Sequence, residues 1–367
     1  MNGTIYMPVG EVCSSISDTY REKKNMVTLI NTSDVLEGRV LNHERVPNSN
    51  LKGQFKKTFQ RDDILYSEIR PQNRRFAYVD FSPIDYIAST KLMVIRAKKD
   101  VVSPKYLYYF LKNSSTVAEL QLLAETRSGT FPQITFSEVA ILTIPVPSLA
   151  VQEVIVQTMQ CLEDKITCNE QINDNLQQQA QAIYSSMFID NPDPAWSHGH
   201  LSDLITVKYG KDHKKLADGI YPVYGSGGIM RHVERPLYNK ESVLIPRKGT
   251  LNNVVYVNQP FWSVDTMFYT EMKLPNVAKF VYHFVKAKDL AAMNAGSAVP
   301  SMTTDILNAM EVVIPSASAL EEFESLVAPM YEAMKANDVQ SQALSKMRDA
   351  LLPKLMSGEI DVSAVRL

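Results

Sequence analysis

Ten positions spaced alternately by four and three residues occur twice in this chain, the second set displaced from the first by 168 residues. The first set is Ile155, Met159, Leu162, Ile166, Asn169, Asn173, Leu176, Ala180, Ile183 and Met187. The second is Phe323, Val327, Met330, Met334, Asn337, Ser341, Leu344, Arg348, Leu351 and Leu355. A largely apolar stripe of period 3.5, sustained over 33 positions, predicts two long helices wound around each other. Asn169 and Asn337 fall at equivalent seam positions. A buried amide there costs stability but fixes partner and register. The plainer alternative, two unrelated surface helices on separate cores, leaves the shared displacement unexplained.

The repeat extends beyond the helices. Val254 to Asn258 echoes Phe76 to Asp80, and Phe280 to Lys286 echoes Tyr106 to Lys112. Pro300 and Thr303 repeat Pro132 and Thr135 at the same displacement of 168, and Ile314-Pro315 repeats the Ile144-Pro145 exit. The loops between these matched pieces have diverged. The expected fold class is therefore α+β: two similar mixed α/β domains, joined by two long helices that form an antiparallel coiled coil, with approximate two-fold symmetry from internal duplication. The domains are expected at residues 1–150 and 191–316, with the helices at 151–190 and within 317–367. Asp190 to Pro194, rich in helix breakers, marks the boundary after the first helix. Pro329 inside the second seam predicts a short separate piece before the continuous helix restarts, and Ser357-Gly358 predicts its end. About 50 Å of paired helix would act as a ruler between the domains. Duplex DNA read at two half-sites is the commonest ligand of that shape.

Composition narrows the class. At 367 residues, with 45% hydrophobic and 21% charged residues, the chain exceeds one ordinary core and reads as globular. No apolar run approaches about eighteen residues, and Met1, Asn2 and Gly3 open no signal-peptide pattern, so a cytoplasmic location is expected. The odd cysteine count, Cys13, Cys161 and Cys168, predicts reduced thiols, with Cys161 and Cys168 structural. A net charge of −2 argues against a general nucleic-acid coat and leaves room for local basic patches. Catalytic motifs are missing from the sequence. There is no phosphate-binding Gly-x-x-x-x-Gly-Lys-Ser/Thr run, and Asn191-Pro192-Asp193-Pro194 lacks the Pro-Pro pair of an amino-methyltransferase loop. His198 and His200 beside Trp196 read as a partly exposed loop rather than a metal pair.

Several stretches together carry a family resemblance. Ser128-Gly129-Thr130 leading to Pro132, the two Ile-Pro exits, Tyr221 to Ile229, Arg247-Lys248-Gly249 and the closing Leu352 to Ile360, in the order domain, long helix, domain, long helix, resemble the specificity subunit of type I restriction-modification systems. The resemblance covers essentially the whole chain. It implies a non-catalytic DNA-binding subunit with one target-recognition domain per half-site of a bipartite site. It also implies two adenine methyltransferase subunits and, in the full complex, two restriction/translocase subunits. No cofactor is expected in this chain; S-adenosylmethionine and ATP would sit on the partners. The competing reading is a two-headed adaptor that binds proteins without DNA sequence preference.

Candidate DNA contacts follow from side-chain chemistry. Arg70, Gln72, Asn73, Arg74 and Arg75 offer guanidinium groups for guanine or phosphate and amides for adenine. Asn31, Thr32 and Ser33 form a second polar loop, for which an ordinary turn is an equal alternative. Arg127 and Thr130 flank Gly129, where missing side-chain bulk allows close approach to a phosphate. In the second domain Lys208, Lys211 and Lys214 suit phosphates, with an exposed charged loop an equal alternative, and Ser226 with Gly227 forms a tight polar turn open to base edges or backbone, for which a plain turn is an equal alternative. Arg247, Lys248, Thr250, Asn252 and Asn253 occupy the place corresponding to Arg70 through Arg75.

Overall fold

The computed structural model describes residues 4–22, 24–49, 53–126, 132–293 and 300–362. The chain divides into two compact units, Met1–Cys168 with Val339–Leu367, and Asn169–Asp338. Both units share the long helices, Leu149–Ser185 and Ala317–Ser357.

All twenty seam positions are buried or half-buried, as expected for a stripe that meets a partner along its length. In the first unit Ile155, Val156 and Met159 share a core with Leu352, Leu355 and Met356. In the second, Ala180, Tyr184 and Phe188 share a core with Phe323, Val327 and Tyr331. In each unit the pairing runs antiparallel, since early residues of one helix meet late residues of the other. The seam amides close on one another within Asn169–Asp338. Asn337 Nδ2 donates to Asn173 Oδ1 at 2.8 Å, Asn173 Nδ2 donates to Asp338 Oδ1 at 2.8 Å, and Asn169 Nδ2 reaches the Asn337 carbonyl at 3.4 Å.

Two expectations fail along these helices. Ala317–Ser357 is continuous through Pro329. Pro329 and Ser325 are exposed, so the carbonyl that loses its helical donor sits where water can replace it, while Val327 and Tyr331 stay anchored in the core. Cys161 and Cys168 are exposed rather than structural, because each falls one position before a seam residue, on the same side of the stripe. The helix ends at Ser357, with Gly358 at φ 76°, a conformation glycine adopts without a Cβ penalty.

The two units repeat one topology. In the first, a four-stranded sheet runs in the order Cys13–Ile16, Leu92–Ala97, Ile64–Ser67, Phe76–Tyr78. In the second the order is Ile205–Tyr209, Met267–Met272, Ser242–Pro246, Val255–Val257. A helix of nine residues lies beside each sheet, Pro104–Lys112 in one and Ala278–Lys286 in the other. The short helices Phe136–Ala140 and Thr304–Asn308 begin after Thr135 and Thr303. Thr135 Oγ1 donates to Glu138 Oε2 at 2.8 Å, and Thr303 Oγ1 accepts from the Ile306 N–H at 3.3 Å, so the hydroxyl is used at the helix start in both copies. A second sheet in each unit contains a parallel pair that the sequence did not announce: Met26–Ile30 with Tyr86–Ser89, and Asp218–Gly225 with Trp262–Ser263. His198 and His200, expected on a loop, lie exposed in the strand Ser197–His200 against Glu311–Ile314. Among the described residues no helix is long and apolar enough to cross a membrane.

Candidate nucleic-acid interface

Each unit carries a loop between its third and fourth main-sheet strands, pinned in the same way. In the first, the Ile134 N–H donates to the Glu68 carbonyl at 2.8 Å and Ile69 bridges Gln133. In the second, the Met302 N–H donates to the Arg247 carbonyl at 2.9 Å and Lys248 bridges Ser301. The correspondence sets Arg247 against Glu68 and Gly249 against Arg70. The expected equivalence of the two loops therefore stands with a shift of register, Arg247 and Lys248 lying before the turn and Arg70 opening it.

The first loop is strained and fastened. Arg70 and Arg74, at φ 45° and 51°, flank the single turn Pro71–Asn73 in the left-handed region. Such residues cost on the order of 1 kcal/mol each and persist when their surroundings hold them. The Arg70 N–H donates to the Pro132 carbonyl at 3.0 Å, and the Gln72 N–H reaches Gln121 Oε1 at 3.2 Å. Arg70, Gln72 and Asn73 are exposed at the loop's outer edge. Arg74 and Arg75 turn inward instead. Arg74 Nη2 donates to Ser114 Oγ at 2.7 Å, and Arg75 Nη1 donates to the Ser33 carbonyl at 3.0 Å. That last bond joins the Asn31–Ser33 loop to the Arg70–Arg75 loop, two segments that sequence had only suggested separately. Asn31 has a local role: its Oδ1 accepts from the Thr32 N–H at 2.8 Å, while its own N–H donates to Asp34 Oδ2 at 2.7 Å. Thr32 is half-buried and Ser33 exposed beside it. Arg127 and Thr130 lie outside the described residues.

In the second unit the hairpin of Asp218–Gly225 with Gly228–Val233 turns on Ser226 and Gly227. Asn253 Nδ2 donates to the Ser226 carbonyl at 2.9 Å. A Cβ on Gly249, at φ 87°, would lie 2.8 Å from Ser226 Oγ, so the missing side chain lets hairpin tip and loop meet. Arg247 lies over the Tyr209 ring at 5.3 Å, and its Nη1 reaches the Asp265 carbonyl at 3.3 Å. Tyr209, about half exposed at the end of its strand, was missed from sequence; the signal available was an aromatic closing an alternating strand just before Gly210. Lys211, Lys214, Lys248 and Thr250 are exposed around this surface. Two candidates are otherwise engaged. Lys208 faces Glu271 at 3.6 Å on the neighbouring strand, and Asn252 holds Asp289 Oδ1 and the Ala291 N–H at 3.1 and 3.0 Å. Each unit thus presents a rigid, polar, partly cationic loop cluster, built on one scaffold with different side chains. That is the arrangement required of two readers with different targets.

Known proteins share this organisation. The profile of the family described as the type I restriction modification DNA specificity domain matches residues 6–178 and 195–322. The HindI type I restriction enzyme specificity subunit of Haemophilus influenzae is 27% identical, over 91% of this chain and 94% of that protein. The MjaIX specificity subunit of Methanocaldococcus jannaschii is 26% identical, over 77% and 76%. Among solved structures, the type I restriction-modification S subunit from M. genitalium superposes with a TM-score of 0.54 at 17% identity, covering 97% of this chain and 96% of that one, which establishes a common fold.

Proposed function

The chain belongs to the type I restriction-modification DNA specificity family, and from that premise we propose that it reads a bipartite duplex target with one half-site per unit and presents it to adenine methyltransferase subunits. It is a non-catalytic specificity subunit. Methylation, cleavage and translocation, with their S-adenosylmethionine and ATP, belong to two methyltransferase and two restriction/translocase partners. The complex works in the cytoplasm, where the DNA is. The observation that carries this reading is the repeated, equivalently pinned loop beyond Ile69 and Lys248, identical in support and different in chemistry. Residues 1–150 and 191–316 are the proposed target-recognition domains.

Exchange of one domain tests the reading. Replacing residues 191–316 with the same segment of another specificity subunit, then mapping methylated adenines across the genome of a host expressing the complex, is expected to change one half of the motif completely and leave the other intact. A motif altered in both halves, or methylation without sequence preference, would return the chain to the class of protein adaptors.

The exposed Lys248 is proposed as a phosphate contact. Lys248→Ala is expected to weaken all duplexes alike and to reduce the slope of log affinity against log salt by about 0.9. An unchanged slope, or a loss confined to one sequence, would remove Lys248 from the phosphate contacts.

A further inference from the structure

Resting on the DNA-reading role above, we propose that Ile229 and Met230 are specificity-determining residues that contact thymine 5-methyl groups in the half-site read by the unit Asn169–Asp338. Among the described residues Gly228–Val233 is the outer strand of its three-stranded sheet, paired on one side only with Asp218–Gly225. Edge strands are ordinarily blunted by charge or proline. This one carries Arg231 and His232 further along, but immediately after its turn it presents two large apolar side chains, Ile229 53% and Met230 60% exposed. Neither dangles from a loose tip. A Cβ on Gly225 would fall 2.7 Å from the Met230 sulfur, so the thioether lies across the bare backbone of the partner strand, and the turn itself is held by Asn253.

The electrostatic setting identifies what covers this apolar pair. Residues 208–248 carry nine lysines and arginines against four carboxylates, and with Glu271 opposite Lys208 counted the excess is four positive charges, in a chain whose total is −2. Such a field draws a polyanion to the hairpin and its neighbouring loop. The major groove of duplex DNA admits a two-stranded ribbon, and the one apolar group it displays among its hydrogen-bonding edges is the thymine methyl. Isoleucine and methionine contribute nothing to a phosphate contact but bury a methyl group well. The strip therefore reads A·T pairs by their methyl groups, while the surrounding cations hold the backbone.

The test removes the methyl and nothing else. With the full chain bound to its methyltransferase subunits, affinity is measured for the mapped target duplex and for duplexes in which each thymine of that half-site, on either strand, is replaced in turn by deoxyuridine. At least one replacement is expected to weaken binding about fourfold, the value of one buried methyl group. Ile229→Ser and Met230→Ser, both at exposed positions, are expected to bind the thymine duplex about as weakly as the parent binds the deoxyuridine one, and at least one of the two variants is expected no longer to distinguish them. Equal binding of every thymine and deoxyuridine pair by the parent overturns the proposal and leaves the strip for a protein partner. So does discrimination that survives both substitutions. Sequence preference persisting alongside either result leaves the DNA-reading role untouched, whereas loss of all sequence preference would sink that role itself.

Discussion

Replacing Glu163 with glutamine is expected to lower the stability of the unit Met1–Cys168 with Val339–Leu367 by about 3 kcal/mol, the lower end of the range for orphaning a buried charge. Glu163 is the acceptor that joins the domain's nine-residue helix to both long helices. It takes the Lys112 ammonium, the Tyr109 hydroxyl at 2.9 Å and Arg348 Nη1 at 3.4 Å. Arg348 keeps a second carboxylate in Asp349 at 2.8 Å. Lys112 pairs directly with Glu163: its side chain is 11% exposed and its ammonium lies 4.7 and 4.4 Å from the Tyr108 and Tyr109 ring centres. Burial already presses its pKa downward, and the Glu163 charge, ahead of the more distant Asp349, opposes that. Glutamine preserves volume and an acceptor for Tyr109 while removing the charge. The two tryptophans, Trp196 and Trp262, both lie in the other unit. Urea unfolding should therefore show a circular-dichroism transition moving to lower denaturant while the tryptophan transition holds. Adding Lys112→Met should recover most of the loss; a single mutant within 1 kcal/mol of the parent would contradict the account.

The parts of this molecule legible in its sequence are those governed by local period or by repetition. The seam could be read because a helix places every third and fourth residue on one face, and Thr135 with Thr303 could be matched because each starts a helix at the same step of the copy. The parallel pairing of Ile87 with Leu29 could not, since it joins segments 58 residues apart without a turn signal. Pro329 misled because propensity was weighed without the tertiary anchors Val327 and Tyr331. Within the candidate interface, residue type located the polar loops but not the direction of each side chain. Arg75 and Asn253 end on backbone carbonyls of distant segments, Ser33 and Ser226, and Asn252 on Asp289, partners that no spacing rule names. Hence an arginine or asparagine in a polar loop was as suited to building the surface as to reading with it.

Acidification is expected to destabilise the second unit through His283, the counterpart of Tyr109 on the matching helix. The same location that is bridged by a carboxylate in one unit is bridged by neutral groups in the other. His283 is fully buried, with Nδ1 2.8 Å from Gln181 Oε1 and Nε2 2.9 Å from the Tyr331 hydroxyl. Because the Gln181 oxygen only accepts, Nδ1 carries the proton and the neutral ring accepts at Nε2 from Tyr331. Tyr184 stacks on the ring at 5.7 Å, and Tyr282 and Phe323 meet it edge-on. Burial without a facing carboxylate lowers the pKa from 6.5 to about 4. The folded state thus prefers the neutral ring more than the unfolded chain does. Between pH 6.5 and 4 the unfolded chain binds more protons, so this contribution is complete above pH 6.5 and is lost as pH falls toward 4. At 1.36 kcal/mol per unit it amounts to about 3 kcal/mol in total, of which about 2 should be gone at pH 5. Tryptophan-monitored urea unfolding of the parent and of His283→Gln at pH 8 and pH 5 isolates the effect. The parent should lose that stability between the two conditions beyond whatever the variant loses, since glutamine cannot take up the proton. Parallel losses in the two proteins would mean that the buried imidazole is not the group that makes this end of the paired helices sensitive to acid.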